Sequence, residues 1–153
     1  MNWPDHRCRI EVSLDRQQVT LFKEEKKIFE AFASTAANGA GFEEGSFQTP
    51  TGNFVVRERI GEGAPLHTSF KGRLPLRIWQ GEKSNDAILT RILWLHGLDP
   101  ENSNTYRRYI YFHGTHAEDL IGKPASHGCI RLANKQMLEL FELTPIGSAV
   151  QIS

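Results

Sequence analysis

The stretch RIEVSLD at residues 9–15 alternates between polar and apolar side chains, with isoleucine, valine and leucine at every second position. Successive side chains of a β-strand point to opposite faces of the sheet, so this alternation is typical of a strand with one buried face. A second apolar run, Val19–Phe22, follows the polar residues 15–18, which suit a turn. The pattern therefore predicts a β-hairpin.

Similar runs predict strands along the rest of the chain. They lie at Ile28–Ser34, Phe54–Arg59, Leu76–Trp79, Ile88–Leu95, Arg108–His113 and Ala149–Ile152. Residues 36–52 contain four glycines and few apolar side chains, which predicts a long loop. Loops longer than about 12–15 residues are uncommon in compact domains and are often functional. Residues 36–52 and 61–71 are therefore the two candidates for a loop that covers a binding cleft.

A single segment near the end of the chain has clear helical spacing. Met137, Leu138 and Phe141 fall on one helical face, and Asn134 is expected to cap the helix at its N-terminus. Gly147 then turns the chain into the closing strand. With many predicted strands and one clear helix, the sequence predicts a mainly β fold.

The size and charge of the chain limit its partners. A length of 153 residues corresponds to one domain, residues 1–153. Lys and Arg total 18 and Asp and Glu total 18, so the formal net charge is zero. Binding to nucleic acid or to an anionic membrane surface depends on a basic surplus, which this composition does not supply. A membrane span needs about 20 apolar residues together, and no stretch approaches that length.

The first residues bear on the compartment. Residues 1–9 carry charged side chains where a secretory signal needs its apolar core. From the sequence we therefore expect a cytoplasmic protein. The alternative is the periplasm or cell envelope, reached by a non-standard route or after removal of a signal.

Two short segments, HGT at residues 113–115 and SHGCIRL at residues 126–132, combine residues of chemical interest. A cysteine reacts as the thiolate, so Cys129 would need a neighbouring base, and His113 at a predicted strand end is a candidate. Gly128 allows close approach of the backbone to a substrate. The amides at residues 128 and 129 are candidates to stabilise the oxyanion of a tetrahedral intermediate.

Each of these residues also has an ordinary structural interpretation. A free cysteine often behaves as a small buried apolar residue, and we expect this of Cys8. Cys8 and Cys129 together allow at most one disulfide. Arg131 presents a planar fork suited to a carboxylate, but a surface position before the helix is equally compatible with the sequence.

A zinc site is a second interpretation of the same segments. His113, His116, His127 and Cys129 carry nitrogen and sulfur donors of the kind that zinc prefers. The spacing lacks a CxxC knuckle, which makes it atypical of structural zinc sites. The corresponding function would be a zinc-stabilised domain that binds cell-wall peptides without turnover.

The two segments together resemble the active-site signature of the L,D-transpeptidases, the YkuD-like family. The stretch TPTGNF at residues 49–54 is similar to the family's Thr-Pro-Thr-Gly-x-Phe segment, and Ile10–Phe22 is similar to its opening hairpin. The resemblance extends over Arg9–Ile152. It implies a single-domain mixed β-sandwich with one or two short helices, one of them after the catalytic cysteine.

The resemblance also implies roles for the site residues. Cys129 would be the nucleophile, His113 the base, and the backbone carbonyl of Gly114 the group that orients the histidine ring. His127 is not the family's usual base and would shape the site. Substrate binding or oxyanion stabilisation would fall to Ser126, His127, Gly128, Arg131 and Thr115.

The implied reaction is cross-linking of peptidoglycan stem peptides, or muropeptides, through a thioester. The acceptor is the side-chain amine of a diamino acid, and the product contributes to the bacterial cell wall and to cell shape. Water in place of the amine would make the protein an L,D-carboxypeptidase that removes D-Ala from tetrapeptide stems. The family resemblance further implies acylation by carbapenems and a reaction without metal or organic cofactor.

Overall fold

A computed structural model describes residues 3–82 and 87–153 of the chain. The strands are β1 (Asp5–Ser13), β2 (Gln18–Lys23), β3 (Lys26–Phe32), β4 (Gly52–Ile60), β5 (Thr68–Lys71), β6 (Leu74–Ile78), β7 (Ile88–Gly97), β8 (Tyr111–Gly114), β9 (Ile130–Leu132) and β10 (Ser148–Ile152). One α-helix, α1, comprises Asn134–Leu143, and a 3-10 helix comprises Glu118–Leu120. No helix within these described residues has the length and apolar character needed to cross a membrane.

The described strands form one connected mixed sheet. Its order is β3-β2-β1-β10-β4-β7-β5-β6, and β8 joins β7 to β9. The pairs β1–β10 and β8–β9 are parallel, whereas β1–β2, β2–β3, β4–β7 and β7–β8 are antiparallel. The prediction of a mainly β, mixed fold is confirmed.

The first hairpin follows the alternation of the sequence. Ile10 and Val12 of β1 pair with Leu21 and Val19 of β2, and all four side chains are buried. They belong to a core that also contains Met137, Leu140 and Phe141 of α1, which packs against β7 and β8. Leu138, predicted to share the buried face, is only half-buried. Leu140 takes that place because residues 137, 140 and 141 form the tighter helical stripe.

Two predicted segments differ in extent. The predicted start of the strand at Arg108 is wrong. Residues 101–109 form turns, and Tyr109 has a φ of 58°, which an extended strand does not allow. Strand β8 therefore begins at Tyr111. Within the predicted loop 61–71, residues 68–71 form strand β5, which pairs with both β6 and β7.

The helix start also differs from the prediction. Asn134 is the first residue of α1, and its side chain makes no capping hydrogen bond. Instead, the backbone N–H of Asn134 donates to the carboxylate of Glu118, with a distance of 2.7 Å from N to Oε2. A carboxylate at this end satisfies an unpaired amide and interacts favourably with the helix dipole.

Candidate active site

Strands β8 and β9 bring the two motifs together. Their parallel register pairs Phe112 with Ile130 and His113 with Arg131. Phe112 and Ile130 are fully buried in the core. Side chains alternate along a strand, so His113 and Arg131 lie on the face opposite to Phe112 and Ile130. Cys129, two residues before Arg131, is expected on the same face as Arg131.

A cavity of about 100 Å³ lies on that face. It is lined by Ile88, His113, Ser126, His127, Cys129 and Arg131. Residues from segments more than ten positions apart in the sequence thus converge on one small concave site. Ile88 was not predicted as a site residue, since an aliphatic side chain at the start of a strand carries no chemical signal.

His113 is held by its own neighbour. Its side chain is 3% exposed, and Nδ1 lies 2.5 Å from the carbonyl oxygen of Gly114. A carbonyl oxygen can only accept, so the ring proton lies on Nδ1. Nε2 of the neutral ring is then the nitrogen that can accept a proton.

Gly114 has to be a glycine because of its surroundings. A Cβ at this position would overlap Asn134 Oδ1 and would lie 2.8 Å from Thr90 Oγ1. Two buried polar side chains therefore pack against the Cα of the residue whose carbonyl contacts the His113 ring.

Cys129 is half-buried and sits close to the backbone that precedes and begins β8. The N–H of Tyr111 donates to Sγ at 3.4 Å, and the thiol lies 3.4 Å from the carbonyl oxygen of Tyr109, to which it donates. The sulfur thus meets both an acceptor for its proton and a donor for the lone pairs of a thiolate.

The loop before Cys129 is closed by Ser126. Its hydroxyl donates to the carbonyl oxygen of Cys129 at 2.6 Å and accepts from the N–H of Gly128 at 3.2 Å. The Gly128 N–H therefore points at Ser126. To stabilise an oxyanion, as predicted, this amide would have to give up its hydrogen bond with Ser126. Gly128 has a φ of 126°, and a Cβ there would lie 3.2 Å from Gln48 O.

Thr49 holds the same loop from the other side. Its fully buried hydroxyl donates to Gly128 O at 2.9 Å and accepts from the N–H of Ala36 at 3.0 Å. The predicted long loop 36–52 contains no named strand or helix before Gly52, where β4 begins, and it packs on the cysteine loop through this threonine.

Thr49→Val is expected to destabilise the protein, because it leaves the amide of Ala36 and the carbonyl of Gly128 without their buried partner. The cost should be about 1–3 kcal/mol, measured as the free energy of unfolding in urea. Thr49→Ser keeps the hydroxyl and serves as the control. Equal stability of the two variants would contradict a stabilising role for the two hydrogen bonds of the Thr49 hydroxyl.

Arg131 is buried, with 5% exposure, so the alternative of a surface position is wrong. Its Nη2 lies 3.4 Å from Ser34 Oγ, and its backbone pairs with that of Ser34. The side chain lines the cavity floor beside the cysteine loop.

Thr115 and His127 occupy very different positions. Thr115 is fully buried and does not line the cavity; its hydroxyl accepts from Ala117 N at 3.0 Å. Thr115 was predicted to bind substrate, but the structure instead places it as a support for the end of β8. His127 is exposed at the cavity mouth, with its ring 5.1 Å from that of Phe47, measured between centroids.

Arg108 is a feature that sequence reasoning missed. Its guanidinium donates to Gln48 O at 2.7 Å, and a second nitrogen lies 3.4 Å from Gly41 O. Burial lowers the pKa of Arg108, while electrostatic attraction to Cys129 opposes that shift. A half-buried cation thus lies close enough to the sulfur to interact with it electrostatically, which favours the thiolate form. Its position depends on loop 36–52, so no local motif indicates it.

Arg108→Gln is expected to slow alkylation of Cys129 by iodoacetamide at neutral pH. The effect should be up to about fivefold, since a partly exposed charge interaction is worth at most about 1 kcal/mol. Arg108→Lys keeps a cation at the same place and should lose less. Equal rates for wild type and Arg108→Gln would exclude a role for this charge.

The remaining predictions concern zinc and the second cysteine. Among the residues that the structure describes, no three His, Cys, Asp or Glu side chains form a group suited to a metal ion. The proposed set of His113, His116, His127 and Cys129 is therefore not assembled. Cys8 and Cys129 are not joined in a disulfide, and burial raises the pKa of the Cys8 thiol. Cys8 therefore has the character of a structural residue.

Comparisons with known proteins identify the family of the chain. The family model of the YkuD L,D-transpeptidase catalytic domain matches residues 7–152. YqjB of Bacillus subtilis (strain 168), which bears the name of an L,D-transpeptidase, is 44% identical over 41 residues, 27% of this chain and 23% of that protein.

Solved structures share the fold. The L,D-transpeptidase of Xylanimonas cellulosilytica DSM 15894 has a TM-score of 0.64 and 20% identity, and the match covers all of this chain and 64% of that one. LdtMt1 in complex with imipenem has a TM-score of 0.61 and 18% identity, over 96% of this chain and 59% of that one. The chain thus spans less than two thirds of the length of each of these relatives. Because the family model extends over nearly the whole sequence, the chain belongs to the YkuD family of L,D-transpeptidase catalytic domains.

Proposed function

We propose that the chain is a cysteine-dependent L,D-transpeptidase that joins peptidoglycan stem peptides through a thioester on Cys129. The observation that carries the proposal is the shared cavity of Cys129 and His113, with the Nδ1 proton of His113 held by Gly114 O. With the proton on Nδ1, Nε2 is the ring nitrogen that can take the thiol proton. Membership of the family supplies the substrate class.

In the first half-reaction, Nε2 of His113 takes the proton of the Cys129 thiol. The thiolate attacks the carbonyl carbon of the diamino acid at position three of the donor stem, and a tetrahedral intermediate forms. As it collapses, the bond to D-Ala breaks, and the leaving amine receives the proton from His113. The product is a thioester of Cys129 and free D-Ala.

In the second half-reaction, the side-chain amine of a diamino acid on another stem attacks the thioester. His113 removes a proton from the attacking nitrogen, and the thiolate leaves and regains its proton. The new amide is the cross-link. Water as the attacking group gives a tripeptide stem instead, which is the L,D-carboxypeptidase alternative.

The other lining residues support these steps. Arg131 is a buried cation in the cavity, and we assign to it a carboxylate or carbonyl of the stem peptide. Ser126 fixes the backbone of Cys129 through its 2.6 Å hydrogen bond. To the exposed ring of His127, which also lines the cavity, we assign contact with the substrate. None of these steps calls for a metal or an organic cofactor.

Carbapenem acylation forms part of the same proposal. LdtMt1, a protein of the same fold, has a solved structure in complex with imipenem. A strained β-lactam carbonyl would meet the same nucleophile and base as the stem peptide. We therefore expect a stoichiometric imipenem adduct on Cys129, detectable in the mass of the intact protein.

The test is mass spectrometry of the products from a purified disaccharide-tetrapeptide, incubated with the protein with and without an acceptor stem. Cross-linked dimers support transpeptidation, and tripeptide monomers with free D-Ala support the carboxypeptidase alternative. Bound but unaltered tetrapeptide, together with one zinc per chain, would instead support a binding domain. The compartment in which the reaction takes place remains a prediction from the sequence.

A further inference from the structure

A largely buried polar network, none of whose members lines the cavity, adjoins the end of the strand that carries His113. Its centre is the side chain of Asn134, which is 1% exposed. Nδ2 of Asn134 donates to Thr115 O at 2.9 Å, and Oδ1 accepts from the hydroxyl of Thr90 at 2.7 Å. The backbone N–H of Asn134 donates to Glu118, as described above. One side chain thus connects β7, the end of β8 and the start of α1.

Thr90 holds its place in this network in a strained conformation. It lies in β7 with a φ of 76°, where the register of β7 against β8 shifts between Leu89 and Ile92. A β-branched residue in this region is an outlier, and such backbone strain costs about 1–3 kcal/mol. In this strained conformation the hydroxyl of Thr90 donates to Asn134 Oδ1, so the strained residue makes a specific contact within the network.

Both side chains press against Gly114. The oxygens Asn134 Oδ1 and Thr90 Oγ1 occupy the space that a Cβ of residue 114 would need. The peptide after Gly114 is held as well, because Thr115 O accepts from Asn134 Nδ2. Asn134 thus contacts the chain beside the Cα of Gly114 and at the next carbonyl, that of Thr115, and it can hold the intervening peptide, whose carbonyl accepts from Nδ1 of His113.

We propose that Asn134 is a positioning residue for His113: with Thr90, it fixes the Gly114 carbonyl so that the histidine ring keeps its proton on Nδ1. The proposal deepens the proposed function and rests on it for its catalytic consequence. Asn134 does not line the cavity and acts only through the backbone of residues 114 and 115. A role limited to anchoring α1 would stabilise the fold but would leave the histidine tautomer unchanged.

The variants separate these two roles. Asn134→Asp keeps the shape and the Oδ1 acceptor but loses the Nδ2 donor to Thr115 O and to Glu118 Oε2, and it sets a carboxylate beside that of Glu118. Thr90→Val keeps the β-branch and removes the hydroxyl, whereas Thr90→Ser keeps the hydroxyl and is its matched control. Lys135→Ala, at an exposed position of the same helix, controls for a general effect on α1.

The first readout is the tautomer of His113, from long-range nitrogen–proton NMR spectra of protein with labelled histidines. The chain has six histidines, and the His113→Gln spectrum assigns the signal. Wild type, Thr90→Ser and Lys135→Ala should carry the proton on Nδ1. In Asn134→Asp and Thr90→Val, a substantial Nε2-protonated fraction should appear.

The second readout is the rate of Cys129 acylation by imipenem. We expect Asn134→Asp and Thr90→Val to lower this rate about 10- to 100-fold, by analogy with the loss that follows removal of the hydrogen-bonded partners of metal-bound histidines. An unchanged His113 tautomer in either folded variant would overturn the proposal. If Asn134→Asp does not fold, the Thr90→Val and Thr90→Ser pair gives the same decision.

The two readouts also keep this inference apart from the proposed function. Should wild type fail to act on any stem peptide, the proposed function fails, while the tautomer comparison still decides whether Asn134 positions His113. If wild type cross-links stems and the variants keep both tautomer and rate, only the positioning role is lost.

Discussion

Cys129→Ala is expected to abolish both cross-linking and D-Ala release from a disaccharide-tetrapeptide, with no imipenem adduct on the protein. The thioester needs a sulfur at this position. The groups that contact Sγ are the backbone N–H of Tyr111 and the backbone carbonyl of Tyr109, and neither can replace the thiol as a nucleophile. Removal of a catalytic nucleophile typically costs several orders of magnitude, about 10⁶-fold in a well-studied protease. Turnover should therefore fall below detection.

The matched control is Cys8→Ser. Cys8 is buried, and its thiol lies 3.7 Å from Leu143 O, to which it donates. A serine keeps that donor, so acylation should proceed at the wild-type rate. Cys129→Ala should unfold at a similar urea concentration to wild type, because a half-buried thiol contributes little to the core. Residual cross-linking in Cys129→Ala, or an adduct on Cys8, would contradict the assignment of the nucleophile.

The parts of the fold that local patterns describe could be predicted, and the parts fixed by distant contacts could not. The alternation at residues 9–15 predicted β1 because one face of that strand is buried along its length. Strand β5 was missed because it has four residues, and its partners in β7 lie about 20 positions further along the chain. Such a short run carries too little periodicity to reveal its pairing.

The same division holds for the site. The motif residues His113 and Cys129 were found because their chemistry and spacing are visible in the sequence. Asn134 was predicted as a helix cap, which is the local preference of asparagine. Its partners Thr90 and Thr115 are 44 and 19 positions away, and those tertiary hydrogen bonds take the side chain instead. Arg108 was missed for the same reason.

His113→Gln is expected to reduce acylation of Cys129 by about 10²- to 10⁴-fold, the usual contribution of general acid–base catalysis. Glutamine approximates the size of the ring but cannot take the thiol proton or return it to the leaving amine. The measurement is the rate of imipenem adduct formation, followed by mass spectrometry before the steady state. Stem-peptide turnover should fall at least as much, since proton delivery to D-Ala is lost as well.

His127→Gln separates the two histidines of the cavity. His127 is exposed and contacts Phe47, whereas His113 is buried and has its Nδ1 proton held by Gly114 O. The contact with Gly114 O constrains His113 to present Nε2 in one orientation, which is what a base acting on a fixed thiol needs. We expect His127→Gln to raise KM for the stem peptide with less than about a tenfold loss of kcat, because its role is contact with substrate. A larger loss of kcat in His127→Gln than in His113→Gln would move the base to His127.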